Sequence, residues 1–87
     1  MPSSRSVTVT VRFLARYAEL AGQDTVTVTA PIPATVDSVL VRLREVHPSA
    51  SRLPSKPLCA RNFRQVLGAE SVADGDEIAL LPPMSGG

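Results

Sequence analysis

The sequence is poor in the residues that carry chemistry on their own. It has one cysteine, Cys59, one histidine, His47, no tryptophan and only 3% aromatic residues. One cysteine cannot form an internal disulfide, and one cysteine with one histidine falls short of the three or four ligands of a typical zinc site. We therefore expect no bound metal and no metal catalysis by this chain alone.

Neither sign of charge dominates, and no long apolar run is present. Nine basic and eight acidic side chains give a formal net charge of +1. A charge this small does not attract the protein to nucleic acid or to an anionic membrane. No window approaches the roughly 18 apolar residues of a membrane span, and the segment 1–6 is too short and polar for a signal-peptide core. We expect a cytoplasmic protein that binds neither nucleic acid nor membrane.

The remaining composition suits one small domain. Of the 87 residues, 44% are hydrophobic and 20% are charged, which is enough apolar material for one compact core. We expect a single domain over residues 1–83, followed by a flexible tail over residues 84–87.

Two alternating segments predict strands near the start of the chain. Apolar and polar residues alternate from Val7 to Phe13 and from Thr25 to Thr29, with the period of half-buried strands. The segment between them ends at Gly22, which suits the close of a short helical turn. Pro31 and Pro33 lack backbone donors, so the sheet should stop there.

A helix and three shorter strands are predicted for the rest of the chain. Thr35 is a plausible N-cap, and Pro48 ends the helical run at the preceding residue. The apolar stripe of this helix has helical spacing; its members are Val36, Val39, Leu40, Leu43 and Val46. Residues 49–57 have loop composition, 58–60 and 63–67 form a hairpin around Asn62, and 78–81 form a final strand after the turn at 74–77.

This order of elements predicts an α+β fold of the β-grasp, or ubiquitin-like, type. One amphipathic helix can cover one face of a mixed sheet, and a compact arrangement places the first and last strands side by side at its centre. The sheet face away from the helix is then left open.

The sequence ends in Gly86 and Gly87 after two prolines. From Pro82, six residues can reach up to roughly 20 Å, enough to cross a partner's groove. The prolines keep the base of the tail extended, and glycines at the tip have no Cβ, so a narrow tunnel can admit them. The alternative is an ordinary terminus without a role.

Two segments resemble a known family. Residues 74–87, DGDEIALLPPMSGG, and residues 13–22, FLARYAELAG, are similar to the end and the opening strand and turn of the small, sulfur-carrier subunits of molybdopterin synthase, in the MoaD/ThiS superfamily. The similarity extends over nearly the whole chain in order and spacing. Pro82 and Pro83 favour the molybdopterin branch over the thiamine branch.

The resemblance implies a chemistry at Gly87. In this family an E1-like adenylating enzyme uses ATP to convert the terminal carboxylate to an acyl-adenylate, and a sulfur donor protein then leaves a thiocarboxylate. The molybdopterin synthase large subunit uses that sulfur to convert cyclic pyranopterin monophosphate. The chain would bind no permanent cofactor and would be a sulfur-donating subunit that is not catalytic alone.

Partner docking should use surfaces beside the tail. Candidates are Leu14, Phe63, Leu81, Pro82 and Pro83, together with Met84 of the tail, because an exposed apolar patch tends to mark an interface. Ser85 and Gly86 belong to the tail itself. Successive strand residues point to opposite faces, so Leu80 and Leu81 cannot both pack under the helix. We expect Leu81 to be the one on the open face.

Several alternatives stay open at this stage. The chain could carry sulfur for thiamine or cysteine synthesis, could be a ubiquitin-like modifier joined to lysines, or could be a plain binding module. Relatives often have an arginine where Ala18 stands here, and Arg16 could substitute for it. Cys59, in a predicted strand, is expected to be a buried hydrophobic residue rather than a sulfur relay. Arg61 and Arg64 are expected to lie on a solvated hairpin.

Overall fold

The computed structural model describes residues 5–83. Along the chain it places β1 (Ser6–Phe13), α1 (Arg16–Ala21), β2 (Thr25–Pro31), α2 (Val36–Val46), a short 3-10 helix (Pro48–Arg52), β3 (Leu58–Arg61), β4 (Arg64–Val66) and β5 (Glu77–Leu81).

The strands form one mixed sheet in the order β2-β1-β5-β3-β4. The first and last strands are parallel neighbours, with Val11 opposite Ile78, and the remaining pairs are antiparallel. This is the predicted arrangement, and it makes β5 the central strand of the sheet. The α+β, β-grasp prediction is confirmed.

One face of this sheet packs against α2. The helix begins with a capping box, in which Thr35 Oγ1 accepts from Ser38 N–H (3.2 Å) and Ser38 Oγ accepts from Thr35 N–H (2.8 Å), so two backbone donors of the first turn are satisfied. Below the helix lies the core, whose largest fully buried side chains are Val9, Val11, Val28, Val36, Val39, Leu43, Ile78 and Leu80. Burial of each such aliphatic side chain contributes about 1.5–3 kcal/mol.

Three local predictions need correction. Val46 was placed on the buried stripe but is 42% exposed; it is the last residue of α2. Strand β2 continues to Pro31, opposite Ser6; a proline is tolerated there because the strand is at its end and at the sheet edge. The loop predicted for residues 49–57 contains a 3-10 turn that begins with Pro48, a residue favoured at the start of a helix.

Candidate functional site at the tail base and the open sheet face

Strand β5 is held on both sides up to the point where the tail begins. On one side Leu14 N–H donates to the carbonyl of Leu80 (3.1 Å), and on the other side Leu58 lies opposite Leu81. Because both neighbours persist to the end of the strand, Pro82 leaves the sheet from a fixed position. The predicted tail residues Met84, Ser85, Gly86 and Gly87 lie outside the described residues.

A groove of about 490 Å³ lies on the open face of the sheet, beside the end of β5. It contains three of the predicted interface residues, namely Leu14, Phe63 and Leu81; the other lining residues are Arg12, Ala60, Glu77 and Ala79. Two alanines leave room between the larger apolar side chains. The arrangement offers an apolar docking surface next to the tail.

An ion pair lies at the polar side of this groove. Arg12 Nε donates to Glu77 Oε2 at 2.9 Å, across the parallel pair of β1 and β5. The hydrogen bond to Glu77 raises the pKa of Arg12. Both side chains are partly exposed, so the pair adds little to stability, and its value is to define a polar edge for an otherwise apolar surface.

Phe63 is presented by an unusual turn. Asn62 (φ 50°) and Phe63 (φ 74°) join β3 to β4 with positive φ at both positions, as a two-residue I′ turn requires. Glycine suits the second position better than phenylalanine does. The aromatic side chain is nevertheless 91% exposed, so burial in this chain does not explain its presence. Backbone strain with an exposed aromatic group is typical of a contact site.

The carboxylate of Asp76 holds the Asn62–Phe63 turn in place through hydrogen bonds. This carboxylate, almost buried at 8% exposure, accepts from Arg61 Nε (2.7 Å), Ala73 N–H (2.7 Å) and Asn62 Nδ2 (3.1 Å). Burial alone would raise the pKa of Asp76, but these donors hold it below its ordinary value. The Asn62 side chain also accepts from Glu77 N–H (3.0 Å). The turn is therefore tied to the start of β5.

This network corrects the sequence interpretation of Arg61. That residue was expected to lie on a solvated hairpin, but its guanidinium pairs with Asp76 (2.7 Å) and Glu70 (3.3 Å). Sequence reasoning missed Asp76 as more than a turn residue, since its partners are up to 15 positions away. The sequence signal that could have indicated this network is the Asp74-Gly75-Asp76 turn together with Asn62 in the predicted hairpin.

A second groove, of about 520 Å³, lies at the base of the tail. Its lining includes Pro82, Pro83, Arg16 and Arg52. Both arginines are exposed and form no ion pair within residues 5–83. Ala18, in contrast, packs against the core. Arg16 thus lines the same groove as Pro82 and Pro83, and its substitution for an arginine at position 18 stays a prediction.

Leu80 and Leu81 point to opposite faces, as predicted. Leu80 is fully buried under α2, whereas Leu81 is half-buried and lines the open-face groove. The structure settles only the orientation of Leu81; its role in an interface stays a prediction.

Cys59 is buried in β3. It is 4% exposed, and its thiol donates to the carbonyl of Pro57 (3.4 Å). Burial, with a smaller contribution from Asp37, raises its pKa to about 11. A buried, protonated thiol is a poor nucleophile, so the expectation of a buried hydrophobic residue is confirmed.

Comparison with known proteins agrees with this geometry. The ThiS family model matches residues 11–87. The molybdopterin synthase sulfur carrier subunit of Chlamydomonas reinhardtii is 30% identical over 81 residues, covering 91% of this chain and 98% of the relative. The corresponding subunit of Arabidopsis thaliana is 33% identical, covering 94% and 85%. The crystal structure of SAMP1 from Haloferax volcanii is 36% identical with a TM-score of 0.79, covering 92% and 99%.

The fold and the strand that leads into the tail define a ubiquitin-like protein of the β-grasp class. The family match then makes the class specific: the chain belongs to the ThiS family and is a sulfur carrier of the MoaD/ThiS type. Among residues 5–83, no helix is long and apolar enough to cross a membrane.

Proposed function

We propose that this chain is the sulfur-carrier subunit of a molybdopterin synthase and that Gly87 is its reactive residue. The observation that carries the proposal is the position of β5. The central strand leads directly through Pro82 and Pro83 toward the Gly-Gly end, and an apolar groove opens beside it. The two curated relatives described above, both sulfur carrier subunits of this synthase, support the choice of pathway.

The chemistry needs activation from outside the chain. A carboxylate is a poor electrophile at neutral pH. In the proposed cycle an E1-like enzyme joins the Gly87 carboxylate to the α-phosphate of ATP and releases pyrophosphate. A sulfur donor protein then replaces AMP with sulfur, which gives a thiocarboxylate. The large subunit uses that sulfur nucleophile on cyclic pyranopterin monophosphate, and the carrier returns to the carboxylate form.

The open-face groove is the proposed contact with the large subunit. Phe63, Leu14 and Leu81 would supply the apolar centre, and the pair of Arg12 and Glu77 would supply the polar rim, which is the usual anatomy of a protein interface. The groove lies beside the end of β5, so docking there would also place the base of the tail at the partner's surface.

The first test is the intact mass of the chain after incubation with the activating enzyme, ATP and sulfur donor. A gain of about 16 Da, the difference of sulfur over oxygen, is expected and should vanish when Gly87 is deleted. Absence of that species with all components present would overturn the proposal. Formation of molybdopterin by the large subunit from the charged carrier then tests the pathway.

A matched pair of variants tests the docking surface. Phe63→Glu places a charge on the groove, while Val41→Glu places the same charge on the outer side of α2, where Val41 is 57% exposed. Loss of a central aromatic anchor weakens binding by about 2 kcal/mol or more, roughly 30-fold. Titration of each variant with the large subunit should show this loss for Phe63→Glu alone. Equal affinities would exclude the groove as the contact.

A second candidate is a ubiquitin-like modifier. The similarity to SAMP1, a small archaeal modifier protein, favours it. Both functions need Gly87 and adenylation, but they differ in the acceptor. A modifier would appear in cells as adducts on lysines of other proteins, and these adducts would be lost with Gly87. A carrier alone would give the thiocarboxylate without such adducts.

A further inference from the structure

One aspartate of this chain is followed by glycine, in the pair Asp74-Gly75. In such a pair the backbone nitrogen of the second residue can attack the side-chain carboxyl carbon of the first, and glycine hinders this attack least because it has no Cβ. The ring that forms is a succinimide. Its hydrolysis can leave isoaspartate, in which the main chain runs through the side-chain carbons. No other aspartate or asparagine in the sequence precedes glycine.

The backbone of Thr8 holds both reacting groups of this pair. Thr8 N–H donates to Asp74 Oδ1 (2.7 Å), and Gly75 N–H donates to the Thr8 carbonyl (2.8 Å). Ring formation requires the carboxyl group to turn onto the Gly75 nitrogen, and it requires that nitrogen to give up its proton. Each of the two hydrogen bonds opposes one of these requirements. Together they form a clamp, the Thr8 clamp, on the reactive pair.

Burial does not protect the pair, because Thr8, Asp74 and Gly75 are all exposed. Water therefore has access to the site. Gly75 has a φ of 89°, and no heavy atom lies within 4 Å of the position that a Cβ would take there, so neighbouring atoms do not crowd the turn. The hydrogen bonds of the Thr8 clamp are thus the feature that can hold this exposed pair unreacted.

The clamp depends on the assembled sheet rather than on the turn itself. Thr8 belongs to β1 and lies 66 positions from Asp74 in the sequence. It stands just before the parallel pairing of β1 with β5, which begins with Thr10 opposite Glu77. When this end of the sheet opens, both bonds of the clamp are lost together and the pair becomes free to react.

We propose that Asp74-Gly75 is a modification site at which isoaspartate forms only when the Thr8 clamp opens. A bond forms between Gly75 N and Asp74 Cγ, and one C–O bond of the carboxyl group breaks. The released oxygen leaves as water with the amide proton and one proton from solvent. Water then cleaves the ring between the Asp74 main-chain carbonyl and the Gly75 nitrogen. This reaction needs only water and does not depend on the proposed function.

The product disturbs the start of the central strand. Isoaspartate adds one carbon to the main chain between Asp74 and Gly75. In the unmodified chain the Thr8 carbonyl accepts from Gly75 N–H (2.8 Å), and Thr10 N–H donates to the Asp76 carbonyl (3.0 Å). A longer main chain at this point cannot restore both contacts with Asp76 still in its place. The modified chain should therefore unfold at a lower temperature than the unmodified chain.

The test compares the folded full chain with the same chain unfolded in urea, at neutral pH. Isoaspartate is counted in the tryptic peptide that begins at Gln65, whose normal and isomerised forms separate by chromatography. We expect the folded chain to form it at least about 10-fold more slowly. This factor should match, within about threefold, the protection of the Gly75 amide against hydrogen exchange, because both reactions need the same opening.

Two substitutions at one position make the result specific. Both backbone groups of Thr8 bind the Asp74-Gly75 turn, so proline there removes the N–H that holds Asp74 without removing a hydrogen bond between β1 and β2. Thr8→Pro should raise the rate in the folded chain at least about 3-fold. Thr8→Val keeps the N–H and the β-branched shape and should leave the rate unchanged. Circular dichroism checks that each variant is folded, and the comparison of rate with amide exchange in the parent chain stands without them.

Three outcomes would overturn the proposal. Equal rates in the folded and unfolded chains would show that the clamp does not protect the pair. A slowing far greater than the protection of the Gly75 amide would assign the protection to another feature of the fold. Equal acceleration by Thr8→Pro and Thr8→Val would assign it to the side chain of Thr8 rather than to its backbone.

Discussion

Replacing Asp76 with alanine removes the acceptor at which three segments of the chain meet. The carboxylate binds Arg61 from β3, Asn62 from the hairpin turn and the backbone N–H of Ala73 from the loop before β5. Alanine leaves the Ala73 N–H and the Asn62 amide without that acceptor. Because Asp76 is 8% exposed, water replaces the lost contacts only in part.

The expected loss of stability follows from these contacts. A net hydrogen bond contributes about 0.5–1.5 kcal/mol. Asp76→Ala removes three of them, from Arg61, Asn62 and Ala73, so the expected loss of unfolding free energy is about 1.5–4.5 kcal/mol. In a domain of this size each kcal/mol lowers Tm by about 4–8 °C, so a fall of at least about 6 °C is expected.

Thermal unfolding followed by circular dichroism at pH 7 measures this loss. The control is Asp24→Ala, since Asp24 is exposed and its side chain forms no hydrogen bond within residues 5–83; it should change Tm by less than about 3 °C, as surface substitutions usually do. If Asp76→Ala and Asp24→Ala unfold at similar temperatures, Asp76 does not hold these three segments together.

The remaining predictions concern pH, orientation and reactivity. The pKa of Asp76 is lower in the folded state than its ordinary value of 3.8. The ionised carboxylate therefore contributes its full stabilisation of the folded state above pH 3.8, and this contribution is lost as the pH falls through the folded pKa. The difference in unfolding free energy between the parent and Asp76→Asn should narrow below about pH 4, and a difference constant down to pH 2 would contradict this. Leu80→Ala should cost about 2–5 kcal/mol in urea unfolding and Leu81→Ala clearly less; equal losses would contradict their opposite orientations. Cys59 should react with a thiol reagent at pH 8 at least about 100-fold more slowly in the native chain than in urea, and similar rates would show an accessible thiol.

Much of the fold follows from patterns that are local in sequence. The alternation in β1 and the helical spacing in α2 each select a period, and Thr35 and Pro48 mark the helix ends. The sheet stops at Pro31, as the prolines predict, but β2 runs two residues past its predicted end at Thr29. A proline is tolerated at the end of an edge strand, and edges are defined only by the assembled sheet. Local sequence patterns therefore predict that a helix or strand is present better than they predict the residue at which it ends.

The candidate site was less accessible from sequence. The opposite orientation of Leu80 and Leu81 follows from strand geometry alone. The floor of the groove does not, because Ala60 and Ala79 become neighbours only through the pairing of β3 with β5. The ion pair of Arg12 with Glu77 likewise joins residues 65 positions apart. Contacts of that kind depend on strand order, which no single segment encodes.

The hairpin turn connects the stability of the domain to its proposed docking surface. Phe63 has a positive φ that favours glycine, and the hydrogen bonds of Asn62 to Asp76 and to β5 hold the turn in place. Without those bonds, the turn could relax and move the aromatic ring away from Leu81 and the rim of the groove. In this arrangement the position of the exposed Phe63 depends on the hydrogen bond between Asn62 and the buried Asp76. Loss of Asp76 should therefore weaken binding of the large subunit even where the variant is still folded, because the anchor would have to be ordered again on binding.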